Sequence, residues 1–313
     1  MSISFVDDNF KYVKSYIMRN YDNINDIIYK DKDLLSFFIE NNGFLAGYTI
    51  VLNKPLSEIY NFNCYVVKFS FVNVSTLHIE EQQVLIEKLV NSLKEKMIEN
   101  EGYYNVRVPS NIVDLMKAIN NIFSNYSLCG GTVEEYIYNK SIAMPETKLK
   151  LFFADDTYIR KYKEELLKIT YDSFKTYQGQ YHISNLMDEK AGEIYENWIK
   201  NSFSEKSNEK IVIAEYEDMP IGFVTIGEDD FAVEGILSAV SVDNRKLGAY
   251  KNMISYIINY AYKNQKAFIT STQFDNYIVQ GVWNSLGLKP FYSIYNLHFD
   301  YTGLEANGFD NGN

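Results

Sequence analysis

Ala239-Val-Ser-Val-Asp-Asn-Arg-Lys-Leu-Gly-Ala-Tyr250 joins a strand-like run to a helical pattern through an Arg-x-x-Gly-x turn. A strand, a turn and a helix start together make an anion site. The first N–H groups of a helix lack intrahelical partners and the helix dipole adds positive potential there, which suits a pyrophosphate. Arg245 and Lys246 bring two further positive charges to the same turn. Gly at a strand-to-helix bend also has a purely geometric use, so the turn gains meaning from what surrounds it.

Around it the pattern is regular. Upstream lie a strand at 149–153, a helix at 157–174, a polar loop ending in Tyr181-His182, and a second helix with Met187, Ala191, Ile194, Tyr195, Trp198 and Ile199 on one stripe. Two apolar runs, 210–216 and 221–226, read as a hairpin whose turn lacks Gly, followed by a strand at 236–242. Downstream, Met253, Ile254, Ile257, Ile258 and Ala261 mark the buried face of a helix. A strand at 267–271, a helix at 276–286 stopped by Gly287, and a strand at 291–299 follow.

The N-terminal part is also mixed. Strands are expected at 44–51, 65–74, 104–108 and 133–138, the last entered through a Gly130-Gly131 turn. Helices are expected at 80–99, with Val84, Leu85, Leu89, Leu93 and Met97 inward, and at 111–123. The polar stretch 140–148 reads as a linker. The expected division is therefore an N-terminal α/β domain at 1–147, a second domain at 148–301, and a frayed tail at 302–313.

Composition limits the function. The 313 residues are 46% hydrophobic, enough for packed cores, and the net charge of −11 argues against nucleic acid or an anionic membrane as partner. Cys64 and Cys129 have no metal-type spacing and fit a reducing compartment, and no leader or membrane-length apolar run is present. A soluble cytoplasmic protein without a metal is expected.

The element order at 148–301 resembles the GNAT acyltransferase superfamily, which binds acetyl-coenzyme A at the Arg-x-x-Gly-x turn. Tyr181-His182, Ile194-Tyr-Glu-Asn-Trp-Ile199, Ser271-Thr-Gln273 with Asn276, and Leu297-His298 look like the sugar-nucleotide N-acetyltransferases typified by dTDP-fucosamine acetyltransferase. Val106-Arg-Val-Pro-Ser110 and the elements after it resemble the smaller N-terminal domain of those enzymes, here without its own Arg-x-x-Gly-x turn. The resemblance implies an α+β or α/β chain: a GNAT fold with a mixed central sheet flanked by helices, and a degenerate, non-catalytic GNAT-like domain before it.

It also implies an acetyl-CoA-dependent N-acyltransferase acting on a small amine, with an amino-sugar nucleotide as the favoured acceptor. A degenerate protein that binds without catalysis and a protein or peptide N-acetyltransferase are the alternatives. Acetyl-CoA contacts would come from Ala239, Val240, Val242, Arg245, Lys246, Leu247, Gly248, Ala249, Tyr250, Asn276 and Trp283. The family pattern has a small residue where Tyr250 stands and a proton-donating Tyr where Trp283 stands. Trp offers an N–H but no proton that titrates near neutrality. Tyr292 and His298 are candidates to replace that acid, with Tyr277 and Tyr295 also near in sequence. His182 is a candidate to orient the acceptor. Each of these residues also has a purely structural reading, Asn276 as a helix cap among them.

Overall fold

A computed structural model describes residues 34–41, 44–72, 79–175, 177, 179–184, 186–204 and 207–302. Two compact units form, and the chain passes from the first to the second at Gly131/Thr132 and back at Tyr292/Ser293. They therefore do not divide at 147/148. The stretch 140–149 has no regular structure, as its polar composition implies, but it lies inside the second unit. Of the expected tail, all but Thr302 lies outside the described residues.

In the first unit come β1 (Leu34–Asn41), β2 (Phe44–Leu52), α1 (Lys54–Tyr60), β3 (Cys64–Val72), α2 (Ile79–Glu99), β4 (Tyr103–Pro109), α3 (Val113–Ile122) and the start of β5 (Ser127–Ile137). Its strands run β1-β2-β3-β4-β11, with β3 and β4 parallel across the α2 crossover. The last of these, β11 (Lys289–Asp300), comes from the far end of the chain and lies antiparallel to β4, Ile294 opposite Pro109. Ile86, Leu89, Val90, Leu93 and Met97 form the helical stripe of α2 that packs on Ile50, Val67, Val106 and Leu297. Val84, expected on that stripe, is 52% exposed. The Gly130-Gly131 pair does not turn the chain: both residues lie inside β5, where Gly130 takes φ +80°.

β5 enters the second unit, where β6 (Lys150–Phe153), α4 (Asp156–Phe174), α5 (Gln180–Ile183), α6 (Ala191–Ser202), β7 (Lys210–Tyr216), β8 (Met219–Glu228), β9 (Ala232–Val240), α7 (Ala249–Lys263), β10 (Ala267–Gln273) and α8 (Tyr277–Leu286) follow. The strand order is β5-β10-β9-β8-β7-β6, antiparallel except for β9 with β10. Met253, Ile254, Ile257, Ile258 and Ala261 of α7 pack on Val212, Val224, Val233 and Phe268, the face the spacing predicted. On α6, Trp198 is 37% exposed, while the rest of its predicted stripe is buried. α4 meets α6 through stacked rings of Phe174 and Tyr195, 3.9 Å between centroids. The β7–β8 hairpin turns without Gly because Glu217 and Asp218 both adopt left-handed backbone, φ +50° and +61°.

Candidate functional site

The β9–β10 ladder stops at Gly235 opposite Thr270, yet β9 runs on to Val240 and β10 to Gln273. Past that point the two parallel strands diverge. On its other edge β9 stays paired with β8, and Ser241 N–H donates to Ile221 O at 2.8 Å. Strand alternation then turns the main-chain groups of Ser238 and Val240 away from β8, into the gap, while Ala239 faces β8 and is buried. The Val240 carbonyl accepts from Ser173 Oγ at 3.2 Å.

Val242–Leu247 winds as a 3-10 turn between the gap and α7. Val242, Arg245, Lys246 and Leu247 are exposed there, and Ala249 is buried. Gly248 closes the turn at φ +69°, a conformation that strains residues with a Cβ. The first turn of α7 has no side-chain cap, so its leading N–H groups face outward beside the two cations. These residues fit a pyrophosphate.

The Tyr250 side chain leaves the turn and runs inward. Its hydroxyl accepts from Trp283 Nε1 at 2.9 Å, joining α7 to α8, and it also bonds to Ser238 of β9. Burial pushes the phenol well above the ordinary tyrosine range, and the hydrogen bonds to Trp283 and Ser238 offset part of this. The two departures from the family pattern are thus one feature. Beneath them lies Glu135 of β5, opposite Thr270 and acting electrostatically on Tyr250. Its carboxyl is raised by burial, and its Oε2 has no hydrogen-bond partner. Sequence reading missed Glu135 and Ser238. The signal was Glu134-Glu135: adjacent strand residues face opposite sides, so in a covered strand one carboxylate must turn inward.

The other candidates separate. Asn276 is the N-cap of α8, accepting from Val279 N–H at 3.4 Å and donating to Thr272 Oγ1 at 2.9 Å. Tyr177 bonds to both Asn276 and Thr272, tying the chain before α5 to the end of β10. His182, expected in a loop, lies in α5 with Nδ1 2.6 Å from Asp188 Oδ1 and Nε2 3.1 Å from Phe174 O, both ring nitrogens engaged within the protein. Tyr292 is half-buried at the second unit's end of β11, with Tyr295 beyond it in the first unit. Tyr277 is 75% exposed. His298 belongs to the first unit: it is buried and bonded through Nδ1 to Tyr103 OH at 2.8 Å. Burial, and then the nearby Arg107 charge, lower it to about 4. Among the described residues no group of His, Cys, Asp or Glu is placed to hold a metal, and no helix is long and apolar enough to cross a membrane.

No family model matches the chain, and no curated protein does. Solved structures do. A GCN5-related N-acetyltransferase from Sphaerobacter thermophilus superposes with TM-score 0.56 at 8% identity over 92% of this chain and 85% of its own. A conserved protein of unknown function from Staphylococcus epidermidis gives 0.51 at 15% identity over 88% and 97%. A GNAT-family acetyltransferase from Colwellia psychrerythraea gives 0.50 at 9% identity over 93% and 97%. With the divergent β9–β10 pair and the turn into α7, these likenesses identify the architecture: the chain has the GNAT fold.

Proposed function

We propose that this chain is an acetyl-coenzyme A-dependent N-acyltransferase acting on a small amine, with an amino-sugar nucleotide as acceptor. The observation that carries the reading is the placing of an uncapped helix start, flanked by Arg245 and Lys246, at the mouth of the gap between β9 and β10. Arg245, Lys246 and the first N–H groups of α7 would hold the pyrophosphate, and the main-chain groups of Ser238 and Val240 would steady the acyl end. A bound thioester supplies an acyl carbon open to attack by a neutral amine. Positioning that amine is the main work of the chain, so the lack of a Tyr at Trp283 is compatible with turnover. The first unit acts as a non-catalytic partner. Free, buried thiols at Cys64 and Cys129 support a cytoplasmic setting.

Calorimetry with acetyl-CoA tests this. Arg245→Ala is expected to weaken binding roughly tenfold, the loss of one charge-assisted contact of about 1.5 kcal/mol, with an unchanged melting temperature because Arg245 is exposed. Equal affinity in the variant would remove the turn from the site. Mass-shift assays with amino-sugar nucleotides and with basic peptides then separate the acceptor classes.

One observation favours a second reading. The Tyr250–Trp283 bond bridges α7 and α8, and the Tyr250 hydroxyl meets Ser238, where the gap opens. A protein that binds a ligand at the turn without transferring an acyl group would tolerate this. Binding of acetyl-CoA by Tyr250→Gly and not by the natural chain would support that reading.

A further inference from the structure

Thr270 of β10 is paired on one side with Gly235 of β9 and on the other with Glu135 of β5, so the three form one row across the second unit's sheet. Beyond that row β9 and β10 part. Glu135 is therefore level with the closed end of the gap and one strand spacing, about 4.8 Å, from it, with the small Thr270 between. Paired residues project to the same side, and Ile137 and Phe268, each two residues along, pack with α7. Glu135 thus projects to the α7 side, where its charge acts on Tyr250, whose hydroxyl meets Ser238 as the gap opens.

Among the described residues of the second unit, Glu135 is the only ionisable side chain with a buried atom, Oε2, that has no hydrogen-bond partner. The residue is 7% exposed. Its neighbours are already engaged: the Trp283 N–H is spent on Tyr250, and the Tyr250 hydroxyl on Trp283 and Ser238. Acyl transfer from a thioester leaves a thiolate, and between two strands that anion has little water to stabilise it. Proton transfer discharges it. A thiol ionises about 4 pH units above a free glutamic acid, so a carboxylic acid gives up its proton to a thiolate downhill. Burial raises the Glu135 carboxyl, which keeps that proton in place to higher pH than in a free side chain.

We infer that Glu135 is the acid of the transfer step. As the amine nitrogen bonds to the acyl carbon, the C–S bond breaks, its electron pair goes to sulfur, and the Glu135 O–H proton joins it to give the free thiol. The proton that leaves the amine returns to the carboxylate through water, so no further reactant is needed. This assignment rests on the acyl-transfer reading.

Thiol release from acetyl-CoA by the full chain, with hydroxylamine as the amine probe, tests it. Hydroxylamine is uncharged at and above neutrality, so its own protonation stays out of the pH profile. Glu135→Gln keeps the shape and removes the proton. It is expected to bind acetyl-CoA within about twofold of the natural chain by calorimetry and to lower kcat at least a hundredfold. In the natural chain kcat should fall as pH rises past the ordinary carboxylate range, a limb the variant lacks. Of the groups around Glu135, Tyr250 of α7 stays protonated there because burial raises its phenol, and Thr270 and Trp283 do not titrate. A variant that turns over as fast as the natural chain, or keeps the same limb, overturns the assignment alone. Loss of acetyl-CoA binding in the variant would make Glu135 part of the binding surface and overturn its role as acid. If the natural chain binds no acetyl-CoA, or releases no thiol above the uncatalysed rate, the acyl-transfer reading falls and the assignment with it.

Discussion

Trp283 Nε1 is buried and its hydrogen bond runs to the Tyr250 hydroxyl. Tyr250→Phe leaves that donor without an acceptor, so it is expected to destabilise the protein by about 1–3 kcal/mol. In a urea double-mutant cycle with Trp283→Phe, the two losses should fall short of additive; strict additivity would show that the contact adds nothing. Glu135 obeys the opposite sign. Its carboxyl is raised by burial, so its contribution to stability is complete below the unfolded-state value and is lost as pH rises through the folded one. Glu135→Gln should accordingly unfold at higher urea than the natural chain at about pH 7, with the gap closing near pH 4. A gap of the same size at both pH values would locate the effect elsewhere. That Tyr250 and Trp283 were unusual was legible only against the pattern of the family the sequence resembles. Their meeting was not, because it depends on how α8 packs beside α7.

At the level of elements, the apolar periods placed α2, α4, α7 and β7 to β10 to within a few residues, since each has one buried face or two. The shorter β4, β6, α3 and α8 were also placed to within two residues, but α1 and the full extent of β5 were not legible. α1 is capped by Asn53, whose Oδ1 accepts from Leu56 N–H, but it buries only Leu56 and so shows no stripe. The strand β5 contains two glycines that read as a turn when the covering of both its edges is unknown. Glu228, at the end of β8, binds β7 and α7 together through Lys210 at 2.6 Å, Tyr260 OH at 2.8 Å and, on its other oxygen, Lys266 at 2.6 Å. Burial alone would raise its carboxyl. The bonds from Lys210, Lys266 and Tyr260 outweigh burial and hold it at about 2. Its contribution is present above the unfolded-state value near 4.5 and is lost as pH falls toward 2. Glu228→Gln should therefore flatten the loss of melting temperature between those limits. An acid limb as steep as the natural chain's would discount the cluster.

For the molecule as a whole, the order of elements conveyed the GNAT fold, while the division of the chain was hidden because it is set by pairing between distant strands. β11 completes the first unit beside β4, and β5 completes the second beside β10. A fragment of residues 1–147 would lack its outer strand, and one of residues 148–301 would expose the edge of β10. Neither is expected to give a cooperative melt by circular dichroism, whereas the two mixed should recover one. A cooperative melt of either fragment alone, at the temperature of the intact chain, would refute the exchange as a requirement for folding.

The β4–β11 pairing also sets a timetable for synthesis. Pro109 leaves the ribosome long before Ile294, and at about 5–20 residues per second the wait is on the order of 10–40 s. During that interval the edge of β4 that β11 will cover presents an open row of peptide groups, the kind of edge at which a nascent chain is exposed to pairing with other chains.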